Sequence, residues 1–302
     1  MMMEERMFIS EEIQQAIKEK QPIVALESAV ITHGLPTPIN YELAMEMEEI
    51  VKKNGSIPAT IAVIGGRLII GVSQQQIHQL AYSSNTIKVS PKSMAVALHA
   101  NKDGGTTVAG TMVAACQAGI QVFATGGIGG VHLNSNFDVS ADLKLLAQSR
   151  MVVVCAGAKA ILDIPSTLEV LETFGVPVIG YKTSEFPAFY SRSSGLQVDF
   201  EADDIQNIAN LARIHWDLGY NSAVLVTVPI PPQYEIEKEP IASALEQAIR
   251  DAEKDHIHGS EATPYLLKKM GEYTQGKSLQ ANLALLKNNA QIAAKIAVEL
   301  YR

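Results

Sequence analysis

The sequence predicts an α/β fold: one α/β/α sandwich over residues 1–302, built around a mixed, largely parallel sheet. Three observations predict it. Short β-branched runs alternate with stretches of helical periodicity along most of the chain, the pattern of strands joined by crossover helices. The runs 60–64 and 68–72 are separated by little more than Gly65-Gly66, which predicts a hairpin and so an antiparallel step in the sheet. No internal repeat or low-complexity linker divides the chain. Pro229-Ile230-Pro231-Pro232 is stiff and reads better as the wall or loop of a site than as a domain edge.

Residues 23–31 are apolar, bounded by Pro22 and a turn at His33-Gly34, and read as a strand. Residues 41–53 have helical spacing and stop before Gly55, a C-terminal cap. Ser73 and Gln76 form a capping box for a helix reaching about Tyr82. Residues 86–89 read as a short strand and 107–118 as a closely packing helix of small residues. Residues 121–125 read as a strand that runs into the loop Gly126-Gly127-Ile128-Gly129-Gly130. Val152, Val153, Val154 and Cys155 read as a buried strand: short, β-branched and without alternation. Ser166 with Glu169 predicts the next helix start, 176–180 a strand, 205–218 a helix and 223–228 a strand. Helices near 241–254, 264–270 and 279–300 close the chain.

Of the 302 residues, 47% are hydrophobic and 19% charged, ordinary values for a globular protein with a sizeable core. A net charge of −8 argues against a general nucleic-acid binder. Cys116 and Cys155 lie in apolar runs and read as reduced core residues, with no disulfide framework or metal-thiolate spacing. No apolar run reaches the length of a membrane span, and the start has no signal-peptide core, so a cytoplasmic location is expected.

Lys159 carries the most information. It follows the buried strand and a small Ala-Gly-Ala turn, where an ammonium is expected to be poorly hydrated and so to favour the neutral amine. A neutral amine is what a Schiff-base nucleophile requires. The alternative is a lysine whose stem packs on the sheet while its head reaches water. Glu27 sits in the apolar run IVALESAVI, where burial raises a carboxyl towards the range of a general acid, with Lys88 and Lys159 as its candidate partners. Glu27, Lys88, Thr125 and Lys159 all fall near the carboxyl ends of expected strands, where open α/β sheets collect ligands. The glycine loop reads equally as a tight turn or as a source of N–H donors for an oxyanion. Asp138 and Asp142 flank Ser140, an N-cap; the pair fits a hard divalent cation held through water, or plain acidic enrichment at a helix start. His256 and His258 have no third ligand and read as loop histidines. Residues 271–278 match the P-loop expression letter for letter, but a helix is expected before them where a P-loop needs a buried strand. That predicts a chance match.

Taken together, VALESAVITHGLPTPIN, PATIAVIGG, FATGGIGGVH, FDVSADL, VCAGAKAILD, ETFGVPVIGY, PIP, TPYLL and SLQANLALLKNNA resemble the pseudouridine-5′-phosphate glycosidase family, also labelled indigoidine synthase A-like. They run in order over residues 24–290. The resemblance implies an α/β/α homotrimer using one divalent metal per subunit, usually Mn2+, to interconvert pseudouridine 5′-phosphate with uracil and ribose 5-phosphate. It implies Glu27 as proton donor, Lys159 as Schiff-base nucleophile and Asp138 as metal ligand. It implies substrate contacts from Lys88, Val108, Ser140, Ala141, Asp142 and Asn282. The substrate phosphate needs cation and N–H donors, a role for Lys88, Thr125 and Gly126-Gly127. Because the sugar is joined to a carbon of uracil, ordinary two-carboxylate hydrolysis lacks a heteroatom leaving group. The implied route has Glu27 protonate the ring oxygen while Lys159 attacks C1′; the ring opens, and an iminium permits carbon–carbon cleavage. The chain departs from the family at residues 91–95, in the short loop 133–136, and at Gly110, where a serine is more usual. A P-loop nucleotide-binding protein and a catalytically silent homologue are the alternatives.

Overall fold

The computed structural model describes residues 6–133, 138–257 and 262–302. His258 and most of the short loop 133–136 lie outside the described residues. In chain order the strands are β1 (Met7–Ile9), β2 (Ile23–Leu26), β3 (Ile57–Ile64), β4 (Arg67–Ile70), β5 (Thr86–Val89), β6 (Asp103–Thr106), β7 (Val122–Ala124), β8 (Val131–His132), β9 (Val152–Cys155), β10 (Leu162–Asp163), β11 (Val178–Tyr181), β12 (Phe200–Ala202) and β13 (Val224–Thr227). The α-helices are α1 (Glu11–Lys18), α2 (Ile39–Lys53), α3 (Gln74–Tyr82), α4 (Pro91–His99), α5 (Val108–Gln117), α6 (Ala141–Leu146), α7 (Ile164–Thr173), α8 (Ile205–Asp217), α9 (Lys238–Lys254), α10 (Ala262–Tyr273) and α11 (Lys277–Leu300).

The main sheet runs β1-β4-β3-β2-β7-β9-β13-β11-β12, with β6 on β3 and β5 on β6. Pairing is parallel except where β3 meets β4 and β6. This is the expected mixed, largely parallel α/β sheet. Strands β2, β9 and β13 are buried along their whole length without alternation, as helices on both faces require. The long helix α11 packs along β2, β7 and β9 with α2 and α8 beside it, while α5 packs on β2 and β3 with α6. Phe123 of β7 is wholly buried, worth about 1.5–3 kcal/mol of apolar transfer.

Three expectations change. The strand predicted over 23–31 ends at Leu26. There β6 takes over the edge of β3 that β2 occupied: Thr60 still pairs with Leu26, while Ala62 pairs with Gly105. Ser28 leaves the ladder to donate its hydroxyl to the Ile61 carbonyl at 2.5 Å, and Val30–Gly34 coil into a π-helical turn. Helix α7 starts earlier than Ser166, because Asp163 is the N-cap and accepts from the Ser166 amide at 2.9 Å. Cys116 lies on the exposed face of α5, whereas Cys155 is buried as expected.

Candidate active site

Glu27 is the first residue past β2, Thr125 the first past β7, and the turn Ala156-Gly157-Ala158-Lys159 the continuation of β9. Parallel strands carry all three to one edge of the sheet. The loops after β7 and β9 stay zipped beyond the strands. Ala156 N donates to Gly126 O at 2.8 Å, Ile128 N to Gly157 O at 3.1 Å, and Lys159 N to Ile128 O at 3.1 Å. Gly157 has φ +89, and a Cβ there would lie 2.1 Å from the Pro187 carbonyl oxygen. The lysine loop therefore requires glycine at this turn.

These loops form the floor of a cavity of about 560 Å³, counted to its open mouth. Glu27, Lys88 and Lys159 all line it, with Gly126 and Gly127. Val30, His33 and Gly34 of the π-helical turn form one wall, and Phe189 another. Thr263, Pro264 and Leu267 of α10, with Asn282 and Leu286 of α11, complete the enclosure.

Burial pushes the Glu27 carboxyl above the usual carboxylate range. Lys159, the Thr125 hydroxyl and Lys88 oppose that shift, and Asp142 reinforces it. Glu27 keeps some surface towards the cavity, yet protein packs closely around the carboxyl. Burial also lowers Lys88, helped by the Lys159 charge and opposed by Glu27 and Asp142. His33 is lowered by burial and by Lys88, against a backbone contact at Thr86 that favours its charged form. The arrangement can hold a protonated carboxyl and two lysine side chains beside one substrate in a poorly hydrated space.

Not every anticipated residue reaches the cavity. Thr125 is buried beneath the floor, and its hydroxyl donates to the Glu27 carboxylate. Val108 is buried at the start of α5. Asp142 accepts Gly129 N at 2.7 Å and Ala109 N at 2.9 Å, so both carboxylate oxygens hold backbone. Ser140 caps α6 as expected and packs on Gly129, where a Cβ would meet its Oγ at 2.3 Å. Ala141 and Asp138 are exposed beside it. His33 and Phe189 line the cavity without having been anticipated. The only sequence signals for them were a histidine in the ITHGLP turn and the aromatic density of FPAFY.

Among the described residues no group of three His, Cys, Asp or Glu side chains could hold a metal. Exposed Asp138 fits a cation kept mostly in its water shell, as magnesium-like ions are, and not an all-protein cage. The P-loop expression falls across the end of α10 and the start of α11, with Gly276 as the α11 N-cap and no strand before it.

Sequence comparison matches residues 12–299 to the family described as indigoidine synthase A like protein. The chain is 50% identical over 294 residues to a pseudouridine-5′-phosphate glycosidase of Caldanaerobacter subterraneus subsp. tengcongensis, covering 97% of this chain and 96% of that one. It is 47% identical to the enzyme of that name from Escherichia coli K12, covering 97% and 95%. Among solved structures, the prealnumycin C-glycosynthase AlnA in complex with ribulose 5-phosphate superposes with a TM-score of 0.89 at 37% identity, covering 98% and 97%. An indigoidine synthase A-like protein of Thermotoga maritima superposes at 0.90 with 34% identity and the same coverage. With the family model matched over residues 12–299 and a relative 50% identical over 97% of the chain, the chain belongs to the indigoidine synthase A-like family.

Proposed function

We propose that this chain is a pseudouridine-5′-phosphate glycosidase, a lyase-type enzyme that reversibly cleaves the bond between ribose C1′ and a carbon of uracil. The name carried by full-length relatives at 45–50% identity supports the reaction. One observation carries it on the chain itself: Glu27, Lys88 and Lys159 converge on one poorly hydrated cavity at the strand ends. A neighbour of the same fold in complex with a pentose phosphate supports the substrate class.

In this reading Lys159 Nζ forms a bond to C1′ as Glu27 gives its proton to the departing ring oxygen. Glu27, now a carboxylate, takes the proton from the alkylated nitrogen; the freed lone pair closes to C=N as the bond to uracil breaks, and Glu27 returns that proton to the uracil carbon. Water hydrolyses the imine, releasing ribose 5-phosphate and restoring the amine. Lys88 and the Gly126-Gly127 amides bind the anionic end of the substrate, and Asn282 meets the base. Asp138 would hold a divalent cation, Mn2+ by family resemblance, whose water shell would supply contacts that orient the substrate. Val108, Ser140, Ala141 and Asp142 shape the adjoining rim. The enzyme acts in the cytoplasm as a homotrimer. Among the described residues no helix is long and apolar enough to cross a membrane.

The test mixes the protein with ribose 5-phosphate and manganese, reduces with borohydride and maps the adduct by peptide mass spectrometry. The expected adduct is on Lys159. Trapping at a different lysine would overturn its role, and no adduct in folded, metal-loaded protein would favour a silent homologue.

A further inference from the structure

Asn289 lies on α11, two turns beyond Asn282, and is wholly buried beneath the cavity floor. Its Nδ2 donates to the Thr125 carbonyl at 2.8 Å and reaches the Gly126 carbonyl at 3.3 Å. Two carbonyl acceptors on one side fix which end of the amide is nitrogen. The oxygen therefore faces the other way, and Oδ1 accepts a hydrogen bond from none of the described residues. A buried polar atom without a partner costs stability. A side chain kept for packing alone would be better served by leucine, so the amide has another use. That use is visible one bond further on. The residue it pins is Thr125, whose hydroxyl donates to Glu27.

We propose that Asn289 is a positioning residue for the proposed acid: it fixes the backbone at the end of β7 so that the Thr125 hydroxyl meets the Glu27 carboxylate. The inference rests on the glycosidase reading for its purpose, but the geometry stands without it. Lys159 from the loop after β9, Lys88 from β5 and Asp142 from α6 also act on Glu27. Asn289 acts through a different group, the backbone carbonyls of Thr125 and Gly126, and so its effect is separable from those charges.

The test is a difference-infrared titration of the protonated Glu27 carboxyl, its band assigned by loss in Glu27→Gln. Four full-length proteins are compared: the parent, Thr125→Val, Asn289→Leu and the double variant. Removing the hydroxyl removes a donor that favours the carboxylate, so Thr125→Val raises the titration midpoint by about half a unit or more. Asn289→Leu is expected to raise it in the same direction. In the Thr125→Val background it is expected to add nothing. A full additional shift in the double variant, or no shift in Asn289→Leu, would overturn the proposal. Leucine keeps the branching of asparagine with bulkier methyl ends; should it not fold, Asn289→Ser, which keeps one donor, takes its place, with a smaller shift expected and the same non-additivity required. On substrate, Asn289→Leu lowers kcat about tenfold with KM within about twofold, as an effect on the acid requires. Failure of the parent to cleave pseudouridine 5′-phosphate would remove the glycosidase reading and leave the titration result intact.

Discussion

The carboxylate of Asp142 ties the glycine loop to a helix start: it takes the amide of Gly129 on one oxygen and that of Ala109 on the other. An asparagine there keeps one acceptor and turns an NH2 towards an N–H. Asp142→Asn is expected to lose about 1.5–3 kcal/mol in urea unfolding, the range for a hydrogen bond to a charged group. Activity falls with it, because Gly126 and Gly127 belong to the same loop. If Asp142 instead held substrate by its carboxylate, KM would rise while unfolding stayed unchanged.

Burial raises Glu27 above its unfolded pKa, so the folded chain prefers the protonated carboxyl. The stability this contributes is complete below the unfolded pKa and is lost as pH rises through the folded one. Glutamine imitates the protonated form at every pH. Glu27→Gln is therefore expected to match the parent near about pH 4 and to be the more stable protein near about pH 8. Its turnover falls by about 10²–10⁴-fold, the range for removing a general acid. Urea midpoints across pH, set beside uracil release, check both halves. A variant that loses stability as pH rises would mean that the two lysines need the carboxylate more than burial opposes it.

The central strands were readable because β-branched runs need no context: β9 and β13 stand within a residue of their expected bounds. Glu27, Lys88, Lys159 and Asn282 were readable as cavity residues through chain motifs and strand ends. The edge was not. β6 is Asp-Gly-Gly-Thr, with almost no strand propensity, and forms because Gly105 alone fits against the Ser28 carbonyl, 2.4 Å from where a Cβ would stand. Strand β1, with three residues, is too short to carry a periodicity. Asp142 looked like a ligand because spacing places its carboxylate near Ser140; only the closed fold shows Gly129 and Ala109 filling both oxygens. Asn289 and Phe189 act across 164 and 33 residues of chain, on Thr125 and Ala156, and no local pattern encodes such a closure.

Phe189 holds φ 62, a left-handed conformation costly for a bulky residue, and donates its amide to Ala156 in the lysine loop. Its ring rests on Gly127, where a Cβ would lie 2.6 Å from the ring edge. Gly127→Ala is expected to push the ring aside, reducing kcat/KM by more than about tenfold with a loss of about 1–3 kcal/mol in stability. Adding Phe189→Leu removes the colliding atoms, so the double variant is expected to recover part of the stability lost by Gly127→Ala. A double-mutant cycle on urea midpoints measures that coupling. Strictly additive losses would show that the ring does not bear on Gly127.

Residues 271–278 fit a nucleotide loop in letters only. Gly271 is inside α10, and Ser278 is buried, its hydroxyl accepting from Thr274 Oγ1 at 3.0 Å. Lys277 is exposed at the first turn of α11 and lines no part of the active-site cavity. Lys277→Ala is therefore expected to leave uracil release within about twofold of the parent, the ordinary result of an exposed surface change. Gly276 is different. Its φ of 82 lets the chain reverse from α10 into α11, and alanine in that conformation costs about 1 kcal/mol. Because α11 carries Asn282 and Leu286 of the cavity lining, that cost reaches the cavity as a looser wall and a weaker KM. Equilibrium binding of a fluorescent ATP analogue to the parent and to Lys277→Ala separates the two readings. Absence of binding to both fits a helix junction, whereas micromolar binding lost with the lysine would restore the nucleotide loop.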